Sequence, residues 1–438
     1  MWTANSEFGK LEVAIVQNST FHDYDCTVPF GSIEHPLFSW APQAVYEKGA
    51  PQYLKLLEIL DGFGVKTFEL DKVIHSIMEG ANASEKREIQ QLLGWKSSQQ
   101  ITADDILYGH PTTPQYDQKR ECVILPDVPR SSTWARDIAF MTQTGLGLSK
   151  MRLMRRREDP KVVELAARFN PELRANVSIF LKSSANTDSE AAIEGGDVQI
   201  INENAIAVGI GDRSNVLGVK WLLDELVKKD SGACIKKVIA VNLPVGYPPC
   251  MHLDTTINLV DAKKAVVMPY VHESSQVPEN VLPKKKTMLK LVEAFRMDLE
   301  SKCRPLNGVP TVCSFQNAGT CVIYERKSGT WSRQERTSYV DWLIGESLLD
   351  EDGIICVGGR PNGPNDVTHA MRALREQWNN AANVFAVRPG QVLAYERSPA
   401  TLREMREHGI QVTEWESSYM GISGGPHCSV MPLSRVSV

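Results

Sequence analysis

Four short stretches of the sequence each place an acid, a histidine or a cysteine beside glycine residues or a turn. Each stretch lies at the edge of an apolar run that predicts a β-strand. A cysteine and a distant histidine are the residue types of a thiolate nucleophile and its general acid/base. The stretches are TWARDIAF with Asp137, IEGGDVQI with Glu194 and Asp197, CMHLDTTINLV with His252 and Asp254, and SGGPHCSV with His427 and Cys428.

The acids around the cysteine and histidine restrict the substrate. A free thiol has a pKa near ~8.5 and becomes a better nucleophile beside a cation. Carboxylates such as Asp137, Glu194 and Asp254 would instead raise the pKa of the Cys428 thiol. They fit a substrate that brings its own positive charge, and a guanidinium is planar, permanently cationic and rich in N–H donors that suit carboxylates. The constellation therefore predicts attack of Cys428 on a guanidinium carbon, with proton delivery to the departing nitrogen by a histidine.

Each stretch also has an ordinary structural interpretation when it is taken alone. EGGD is typical of a turn with an acidic cap, and MHLD is typical of a histidine whose hydrogen bonds are satisfied within a strand. The nine cysteines are scattered and form no CxxC pair, which argues against a zinc knuckle or a thioredoxin-like motif. Most cysteines are expected to be buried, inert thiols. The conjunction of the four stretches, in this order, favours a catalytic site.

The elements that must position these residues alternate between strands and helices. The chain begins with a strand, LEVAIVQNS, followed by a helix over 51–63 and a second strand, VKTFEL. Helices are also predicted at 160–169, 216–229 and 400–408. Short apolar strands dominate after residue 119, namely CVILP, DIAFMTQ, VQIIN, AIAVGIG, KVIAVNL, TINLVD and AVVMPYV. The recurring strand–strand–helix–strand order predicts an α/β fold of repeated small modules.

Two segments interrupt this order. Residues 72–118 are interpreted as a helical insert, in which Ser84 is the expected N-cap of SEKREIQQLLGW without a full capping box. Residues 276–338 combine a KKK run, the amphipathic run MLKLVEAFRMDLESK and a hairpin-like CVIYERKSGTWSRQ with Ser-Gly at its turn. We interpret the second segment as an elaboration or insertion of unknown role.

Composition and charge argue against several classes of function. The 438 residues are 42% hydrophobic and 23% charged, so the chain can bury a sizeable core. A net charge of −5 gives no reason to expect nucleic acid as a partner. The N-terminal residues lack the pattern of a signal peptide, and no apolar run approaches the ~18 residues of a membrane span. We therefore expect a soluble, cytoplasmic protein without a membrane partner.

The sequence resembles the arginine deiminases, a family of guanidine-modifying enzymes, over nearly its whole length. The resemblance rests on SEFGKLEVAIV, ILPDVPRSSTWARD, EGGDVQIINENAIAVGIGDRSN, MHLDTTINLVD, REQWNNAANVFAVRPGQVLAYER and GGPHC, in this order and spacing. It implies a single catalytic domain over 1–438, folded as a pseudo-fivefold α/β propeller of ββαβ modules with a helical insert at 72–118. Family members are often dimers or larger, which leaves a homo-oligomer open.

The resemblance implies a role for each residue of the constellation. Cys428 matches the nucleophile, His252 the general acid/base and Glu194 the glutamate that assists it. Asp137 and Asp254 match the two aspartates that clamp the guanidinium. The implied reaction hydrolyses the guanidinium to a ureido product and ammonia through a covalent thiouronium intermediate, and for arginine the product is citrulline. No metal or organic cofactor is required, because the thiol and the proton shuttle suffice.

The residues expected at the amino-acid end of the substrate are also implied by the resemblance. Arg213 in GIGDRSN, and Arg155 or Arg156 in RRRE, match arginines that bind the substrate carboxylate. Trp134 stands where the family usually has phenylalanine against the substrate stem, and Asp197 is a further expected substrate contact. The arginines also have ordinary interpretations, RRRE as a solvated helix start and Arg213 as a surface ion pair.

Two positions depart from the family pattern at this end of the substrate. Ser131 replaces an asparagine that contacts the amino-acid end of arginine, and Ser423 replaces an arginine that contacts the carboxylate. Loss of a buried hydrogen bond to a charged group typically costs about 1.5–3 kcal/mol. We therefore predict that the substrate is arginine or an arginine derivative, such as a peptide, a cyclic dipeptide or another small metabolite.

Three other functions stay open as alternatives. An amidinotransferase uses the same cysteine–histidine pair and passes the amidino group to an amine, although EGGD, GIGDRSN and MHLDTTINLVD are closer to the deiminase form. A second hydrolase variant would release two ammonia molecules and form ornithine. A non-catalytic guanidine-binding protein is disfavoured, because a decayed enzyme usually loses at least one of the residues that are all present here.

Overall fold

The computed structural model describes most of the chain. Ser131, Arg155, Ser423 and the run MLKLVEAFRMDLESK lie outside the described residues. In the described part, no helix combines the length and the apolar character that crossing a membrane requires. The described residues are 1–17, 42–95, 101–108, 115–117, 122–124, 134–153, 156–182, 190–229, 235–284, 286–287, 317–334, 337–363, 365–416 and 424–436, with the backbone alone at 42–50, 108, 115–117 and 122–124.

Five three-stranded units with one shared topology form the core. In each unit the first strand pairs antiparallel with the second, and the second pairs parallel with the third. The units are β20 (Val430–Arg435), β1 (Leu11–Val16) and β2 (Lys66–Glu69); β5 (Ala139–Thr142), β6 (Gly145–Leu148) and β7 (Ile179–Leu181); β8 (Val198–Asn202), β9 (Ala205–Ile210) and β10 (Lys237–Asn242); β11 (Ile257–Asp261), β12 (Lys263–Val267) and β16 (Leu349–Cys356); and β17 (Phe385–Arg388), β18 (Gln391–Tyr395) and β19 (Gln411–Trp415).

A helix crosses from the second to the third strand of every unit, because parallel neighbours cannot be joined by a tight hairpin. Each unit is therefore a ββαβ module. Its fivefold repetition confirms the prediction of an α/β propeller built from such modules. The crossing helices are α1 (Pro42–Gly62), α6 (Asp159–Phe169) with α7 (Pro171–Asn176), α8 (Val216–Lys228), α9 (Tyr339–Gly345) and α11 (Pro399–Glu407).

Further elements decorate the modules. Three helices follow β2, namely α2 (Leu70–Gly80), α3 (Ala83–Leu93) and α4 (Ala103–Tyr108), and Ile74, Ile89 and Ile106 from them share one apolar cluster with β5 and α6. A hairpin of β13 (Thr320–Lys327) and β14 (Thr330–Arg333) extends the sheet beyond β10, as predicted, with its turn at Ser328 and Gly329. The remaining elements are β3 (Gln115–Asp117) paired with β4 (Cys122–Ile124), β15 (Thr337–Ser338) and α10 (Val367–Trp378).

Short helical turns precede the first strands of four of the five modules. The turn α5 (Ala135–Ile138) leads into β5 and the turn α12 (Pro426–Ser429) leads into β20, while two 3₁₀ turns lead into β8 and β11. The α12 turn packs on α5, α5 packs on the turn before β8, and that turn packs on the turn before β11. The fivefold repetition therefore brings chemically different turns together at one end of the first strands. The turns are α5 (Ala135–Ile138), Gly195–Asp197, Leu253–Thr255 and α12 (Pro426–Ser429).

Candidate active site

The residues of the catalytic constellation lie at these turns and are buried together. None of them is more than 4% exposed. Asp137 belongs to α5, Asp254 to the turn before β11 and Cys428 to α12, while Glu194 and His252 each stand one residue before a 3₁₀ turn. Four modules thus contribute the side chains that the sequence scatters over about 290 positions.

Close backbone packing holds Cys428 in place. The amides of His427 and Cys428 both donate to Oδ1 of Asn383, over 3.0 and 3.2 Å. A Cβ atom at Gly425 would lie 2.2 Å from that same oxygen, and one at Gly424 would lie 2.6 Å from the Trp134 ring. Only glycine fits at these two positions, so close packing fixes the GGPHC turn that carries the thiol.

Two buried carboxylates each present one free oxygen. Oδ2 of Asp137 accepts a hydrogen bond from Nη1 of Arg156 at 2.8 Å, and Oδ2 of Asp254 lies 2.9 Å from Nδ1 of His427. Oδ1 of Asp137 and Oδ1 of Asp254 are buried and accept no hydrogen bond from the described residues. Buried carboxylate oxygens normally have partners. The two free oxygens therefore suit a cation with several N–H donors.

His252 and Glu194 form a buried pair at this site. Nε2 of His252 lies 2.9 Å from Oε2 of Glu194, and Nδ1 lies 3.8 Å from Oδ1 of Asp137, beyond hydrogen-bond reach. Oε1 of Glu194 accepts the Arg152 amide at 2.9 Å, and its backbone N–H donates to the Ser214 hydroxyl. These bonds fix the glutamate, which in turn orients the imidazole.

Burial and charge shift the protonation of this pair. Burial would lower the pKa of His252, but the carboxylates of Asp137, Asp197 and Glu194 outweigh it and raise the pKa to about 9. Burial would raise the pKa of Glu194, but the hydrogen bond to His252 and the charge of Arg213 lower it to about 2. At neutral pH the pair is therefore an imidazolium beside a carboxylate, which holds a proton ready for a leaving group.

The surroundings of Cys428 favour the neutral form of its thiol. Burial raises the pKa of Cys428 well above its ordinary value, and the carboxylates of Asp254 and Asp137 raise it further. Sγ of Cys428 lies 3.7 Å from Oδ2 of Asp254. The thiol therefore favours its protonated form at neutral pH.

Asp197 lies behind the site. Its Oδ2 accepts the Ser214 hydroxyl at 2.5 Å, and its Oδ1 accepts the Leu253 amide at 2.9 Å. A Cβ atom at Gly209 would lie 2.3 Å from Oδ1. Burial raises the pKa of Asp197 to about 7. Both oxygens are thus occupied within the protein, and the contacts join the segments that carry Glu194 and His252.

The residues predicted at the amino-acid end of the substrate differ in their surroundings. Nη1 of Arg213 is buried and lies 3.8 Å from Oε2 of Glu194, without a hydrogen bond to the described residues. Arg156 is bound on two sides, to Asp137 and through Nε to Asp159 at 3.0 Å. Nη2 of Arg213 donates to Sδ of Met251 at 3.7 Å, so Arg213 faces Glu194 and Met251, whereas Arg156 is hydrogen-bonded to Asp137.

Trp134 packs beside the turn that carries Cys428. The ring is 5% exposed and belongs to one apolar cluster with Cys428 and Phe385. It packs against Gly424, next to the turn that carries the thiol. An apolar ring at this position can contact the aliphatic part of a substrate.

Three charged or polar residues with structural roles at the site were missed by the sequence reasoning. Glu7 accepts from Nη2 of Arg136 and from the Ile200 amide, both at 2.7 Å, and Asn383 binds the turn of Cys428. Arg136 stands next to Asp137 within a stretch that the sequence analysis singled out, so its position gave a signal. No local sequence pattern indicated Glu7, because it contacts residues more than a hundred positions away.

One group of described residues has the spacing of metal ligands. Ligand atoms of Asp137, Glu194 and His252 lie within 4.8 Å of one another. Oε2 of Glu194 already bonds to Nε2 of His252. The expectation that the reaction needs no metal stays a prediction.

Comparison with known proteins decides the family of this chain. A sequence model of the arginine deiminase family matches residues 109–435. The chain belongs to the arginine deiminase family. The match covers Asp137, Glu194, His252, Asp254 and Cys428. The resemblance inferred from the motifs is thereby confirmed.

Individual arginine deiminases are similar over different lengths. The protein of Bacillus thuringiensis subsp. konkukian is 29% identical over 311 residues, which cover 70% of this chain. The alignment spans 62% of that Bacillus protein. The arginine deiminase of Staphylococcus epidermidis is 23% identical over 459 residues, covering 98% of this chain and 97% of that protein.

Two solved structures share the fold. The amidinotransferase SxtG from Microseira wollei, of the saxitoxin biosynthetic pathway, gives a TM-score of 0.51 at 12% identity and covers 100% of this chain and 98% of its own. A mutant of AgrE in complex with L-arginine gives 0.51 at 13% identity, covering 98% of this chain and 41% of its own. Both likenesses concern the fold and agree with the five ββαβ modules.

Proposed function

We propose that this protein is a guanidine deiminase, which hydrolyses the guanidinium of arginine or an arginine derivative to a ureido product and ammonia. One observation carries the proposal. The free Oδ1 atoms of two buried aspartates, Asp137 and Asp254, share one site with the thiol of Cys428 and an imidazolium at His252. A cation with N–H donors satisfies both oxygens, and its carbon is then the electrophile nearest the thiol.

Binding of the substrate activates the nucleophile. The carboxylates of Asp254 and Asp137 contribute to the raised pKa of Cys428 in the unoccupied protein. A guanidinium between the two carboxylates offsets their charge, and its own charge favours the thiolate. The thiolate therefore forms in the presence of the group that it attacks, and its proton is lost to solvent.

The first half-reaction releases ammonia. The thiolate of Cys428 attacks the central guanidinium carbon and forms a C–S bond. His252 gives its proton to the departing nitrogen, the C–N bond breaks, and ammonia leaves. Glu194 holds the ring throughout and stabilises its charged form. A thiouronium adduct on Cys428 remains.

The second half-reaction consumes water. The neutral His252 accepts a proton from a water molecule as its oxygen attacks the adduct carbon. The C–S bond breaks, the hydroxyl proton of the adduct passes to the departing sulfur, and the ureido product is released with the Cys428 thiol restored. His252 is again protonated, so the cycle closes without an external oxidant, reductant or metal.

The amino-acid end of the site supports an arginine derivative as the substrate. The family's asparagine and arginine at this end are replaced by Ser131 and Ser423. Nη1 of Arg213 is buried and makes no hydrogen bond to the described residues, so it can donate to a carboxylate or a carbonyl oxygen of the substrate. With fewer charged contacts, free arginine should bind less tightly than a derivative whose carboxylate is amidated or cyclised.

The decisive experiment compares free and blocked substrates. We would incubate the protein with L-arginine, Nα-acyl-arginine amide and a cyclic arginine dipeptide, and measure ammonia and product mass. A deiminase yields ammonia and a product heavier by about 1 Da, since NH is replaced by O. The Cys428→Ser variant is the matched control and should lose at least about a thousandfold in kcat.

The outcomes separate the alternatives. Equal kcat/KM for free and blocked arginine would refute the preference for a derivative and leave the deiminase activity standing. Two ammonia molecules per turnover would indicate direct formation of an amine. Transfer of the amidino group to an added amine, without ammonia, would show an amidinotransferase. Absence of any reaction with these guanidines would refute the proposed activity.

A further inference from the structure

A buried row of four alternating charges runs from the N-terminal segment to the candidate site. Nη2 of Arg136 donates to Oε1 of Glu7 at 2.7 Å. Oε2 of Glu7 lies 3.1 Å from Nε2 of His427, and Nδ1 of His427 lies 2.9 Å from Oδ2 of Asp254. All four side chains are at most 3% exposed. The row ends on the carboxylate that faces the thiol.

The geometry requires a charged ring at His427. Both ring nitrogens face carboxylates, and an ionised carboxylate only accepts hydrogen bonds. A neutral imidazole has one N–H and can serve only one of the two. Both contacts are hydrogen bonds when His427 is an imidazolium.

Other groups around the ring agree with this state. Burial would lower the pKa of His427, but the hydrogen bonds to Asp254 and Glu7 raise it above its ordinary value. The positive charge of Arg136 opposes protonation of His427. The positive charge of Arg435, on β20, lowers the pKa of Glu7. The Phe385 ring packs edge-on at 5.8 Å and excludes water from that side.

We propose that His427 is a positioning residue for the guanidine reaction, whose imidazolium, anchored on Glu7, locks Asp254 and places a fixed cation beside Cys428. The inference rests on the proposed function for its kinetic consequence. Oδ2 of Asp254 is the oxygen nearest the thiol, at 3.7 Å, and it is also the oxygen bound by His427. His427 thereby leaves Oδ1 free for the substrate and reduces the repulsion between Asp254 and the thiolate.

Two amide substitutions divide the contacts of the ring. In His427→Asn the side-chain nitrogen stands near the place of Nδ1, so it can donate to Asp254 but has no charge and no contact with Glu7. In His427→Gln the side-chain nitrogen reaches the place of Nε2, so it can donate to Glu7. Asp254 then loses its contact with residue 427. His369→Gln is the control, because His369 is an equally buried histidine bonded to Tyr270 and Gly359 in another part of the fold.

The first measurement is the pH midpoint for alkylation of Cys428 by iodoacetamide without substrate. The Cys428→Ser protein corrects for the other cysteines. Both His427 variants should raise the midpoint by about one pH unit, because both remove the cation. The His369→Gln control should leave it unchanged. An unchanged midpoint in both His427 variants would overturn the proposal.

The second measurement separates KM from kcat on the guanidine that the wild-type protein turns over. KM should rise at least about tenfold in His427→Gln and about two- to threefold in His427→Asn, because only the asparagine still holds Asp254. Equal KM values in the two variants would contradict the positioning role. Should the wild type turn over no guanidine while the alkylation midpoint still shifts, the proposed function fails and the fixed cation is supported.

Glu7→Gln tests the row from its other end if the His427 variants do not fold. Loss of the Glu7 carboxylate removes one of the two groups that stabilise the imidazolium. The alkylation midpoint should then rise in the same direction, although Glu7 has no described contact with Cys428. A midpoint equal to that of the wild type would overturn the proposal.

Discussion

Cys428 lies where its own surroundings oppose its ionisation. Burial and two neighbouring carboxylates raise the pKa of its thiol, and the fixed cations nearby, at Arg156 and His427, are each bound to one of those carboxylates. A thiol with a raised pKa reacts slowly with oxidants and alkylating agents at neutral pH. Its reactivity then depends on a cationic substrate.

Substitution of one clamp residue should separate reactivity from turnover. Asp137→Asn removes a charge that raises the pKa of Cys428, so iodoacetamide should alkylate the thiol about three- to tenfold faster at neutral pH. The same change removes half of the guanidinium clamp, so kcat/KM should fall at least about a hundredfold. Alkylation kinetics and steady-state turnover measure the two effects.

The control removes an equal charge at the surface. Asp350 is half-exposed and pairs with Lys263 at 3.3 Å, remote in the fold from α12. Asp350→Asn should change neither rate. A slower alkylation in Asp137→Asn would contradict the assigned cause of the raised thiol pKa.

At the scale of elements, the segment that leads into Glu194 packs closely against the helix α8. Gly218 lies in α8, and a Cβ atom there would lie 1.9 Å from the carbonyl oxygen of Ala192. Ala192 and Ile193 lead directly into Glu194. The contact of α8 with this segment therefore helps to set the position of the glutamate.

Gly218→Ala should destabilise the protein although alanine is the better helix former. Alanine normally favours a helix over glycine by about 1 kcal/mol, but the backbone clash forces the segment 192–194 to move, at a cost of about 2–4 kcal/mol. Chemical denaturation should show the net loss, and kcat should fall because Glu194 moves away from His252.

The matched control is a glycine with free space around it. Gly80 ends α2, and an added Cβ atom there meets no heavy atom within 4 Å. Gly80→Ala should change the unfolding free energy by less than about 1 kcal/mol. If both variants lose the same stability, the clash at Ala192 is not the cause.

One local prediction in the helical insert was wrong by two residues. Asn82, and not Ser84, caps α3, and it accepts from the amides of Ser84 and Glu85. Glu85 returns a bond to the Asn82 amide, which completes a capping box. The earlier start puts Glu85 at the third helical position, where the sequence analysis had placed Arg87.

At the scale of the whole molecule, one module is completed by segments from opposite regions of the chain. β20 pairs with β1, and Nη1 of Arg435 donates to the carbonyl of Gly9 at 2.6 Å. Cys428 directly precedes this pairing. The position of the nucleophile therefore depends on global folding rather than on a local motif.

The buried charges of the site should also make global stability depend on pH. The folded-state pKa of His252 is about 9, above its ordinary value, so its contribution is fully present below about pH 6.5 and is lost as the pH rises through about 9. For Glu194, lowered to about 2, the contribution is present above its ordinary pKa and is lost as the pH falls. The two shifts describe one interaction and are not added.

His252→Gln should reveal this contribution in equilibrium unfolding. The difference in unfolding free energy between wild type and variant should shrink by about 2 kcal/mol between about pH 7 and about pH 9.5. Chemical denaturation at the two pH values gives this difference. His369→Gln is the control, because burial lowers the pKa of His369 and its difference from the wild type should stay constant above neutral pH. A constant difference for His252→Gln would contradict the raised pKa.

The sequence by itself determined the class of the fold and the chemical groups of the site. Apolar runs with period-two or helical spacing report burial, which depends on local pattern, so the strands and helices were predictable. The acids, the histidine and the cysteine stand beside glycine at strand edges, where a buried charge has few uses other than chemistry or pairing. That is why Asp137, Glu194, His252, Asp254 and Cys428 could be named before any coordinates.

Only the tertiary structure decided how those groups are held. Glu7 contacts His427 across 420 positions of the chain. Asn383, from another module, accepts the backbone N–H of Cys428. Contact of Arg156 and Asp197 with the substrate stays a prediction. Their hydrogen bonds within the protein, to Asp137, Ser214 and Leu253, were not foreseen from the sequence. Local spacing cannot predict which buried charges satisfy one another, because that pairing follows from the convergence of five modules on one point.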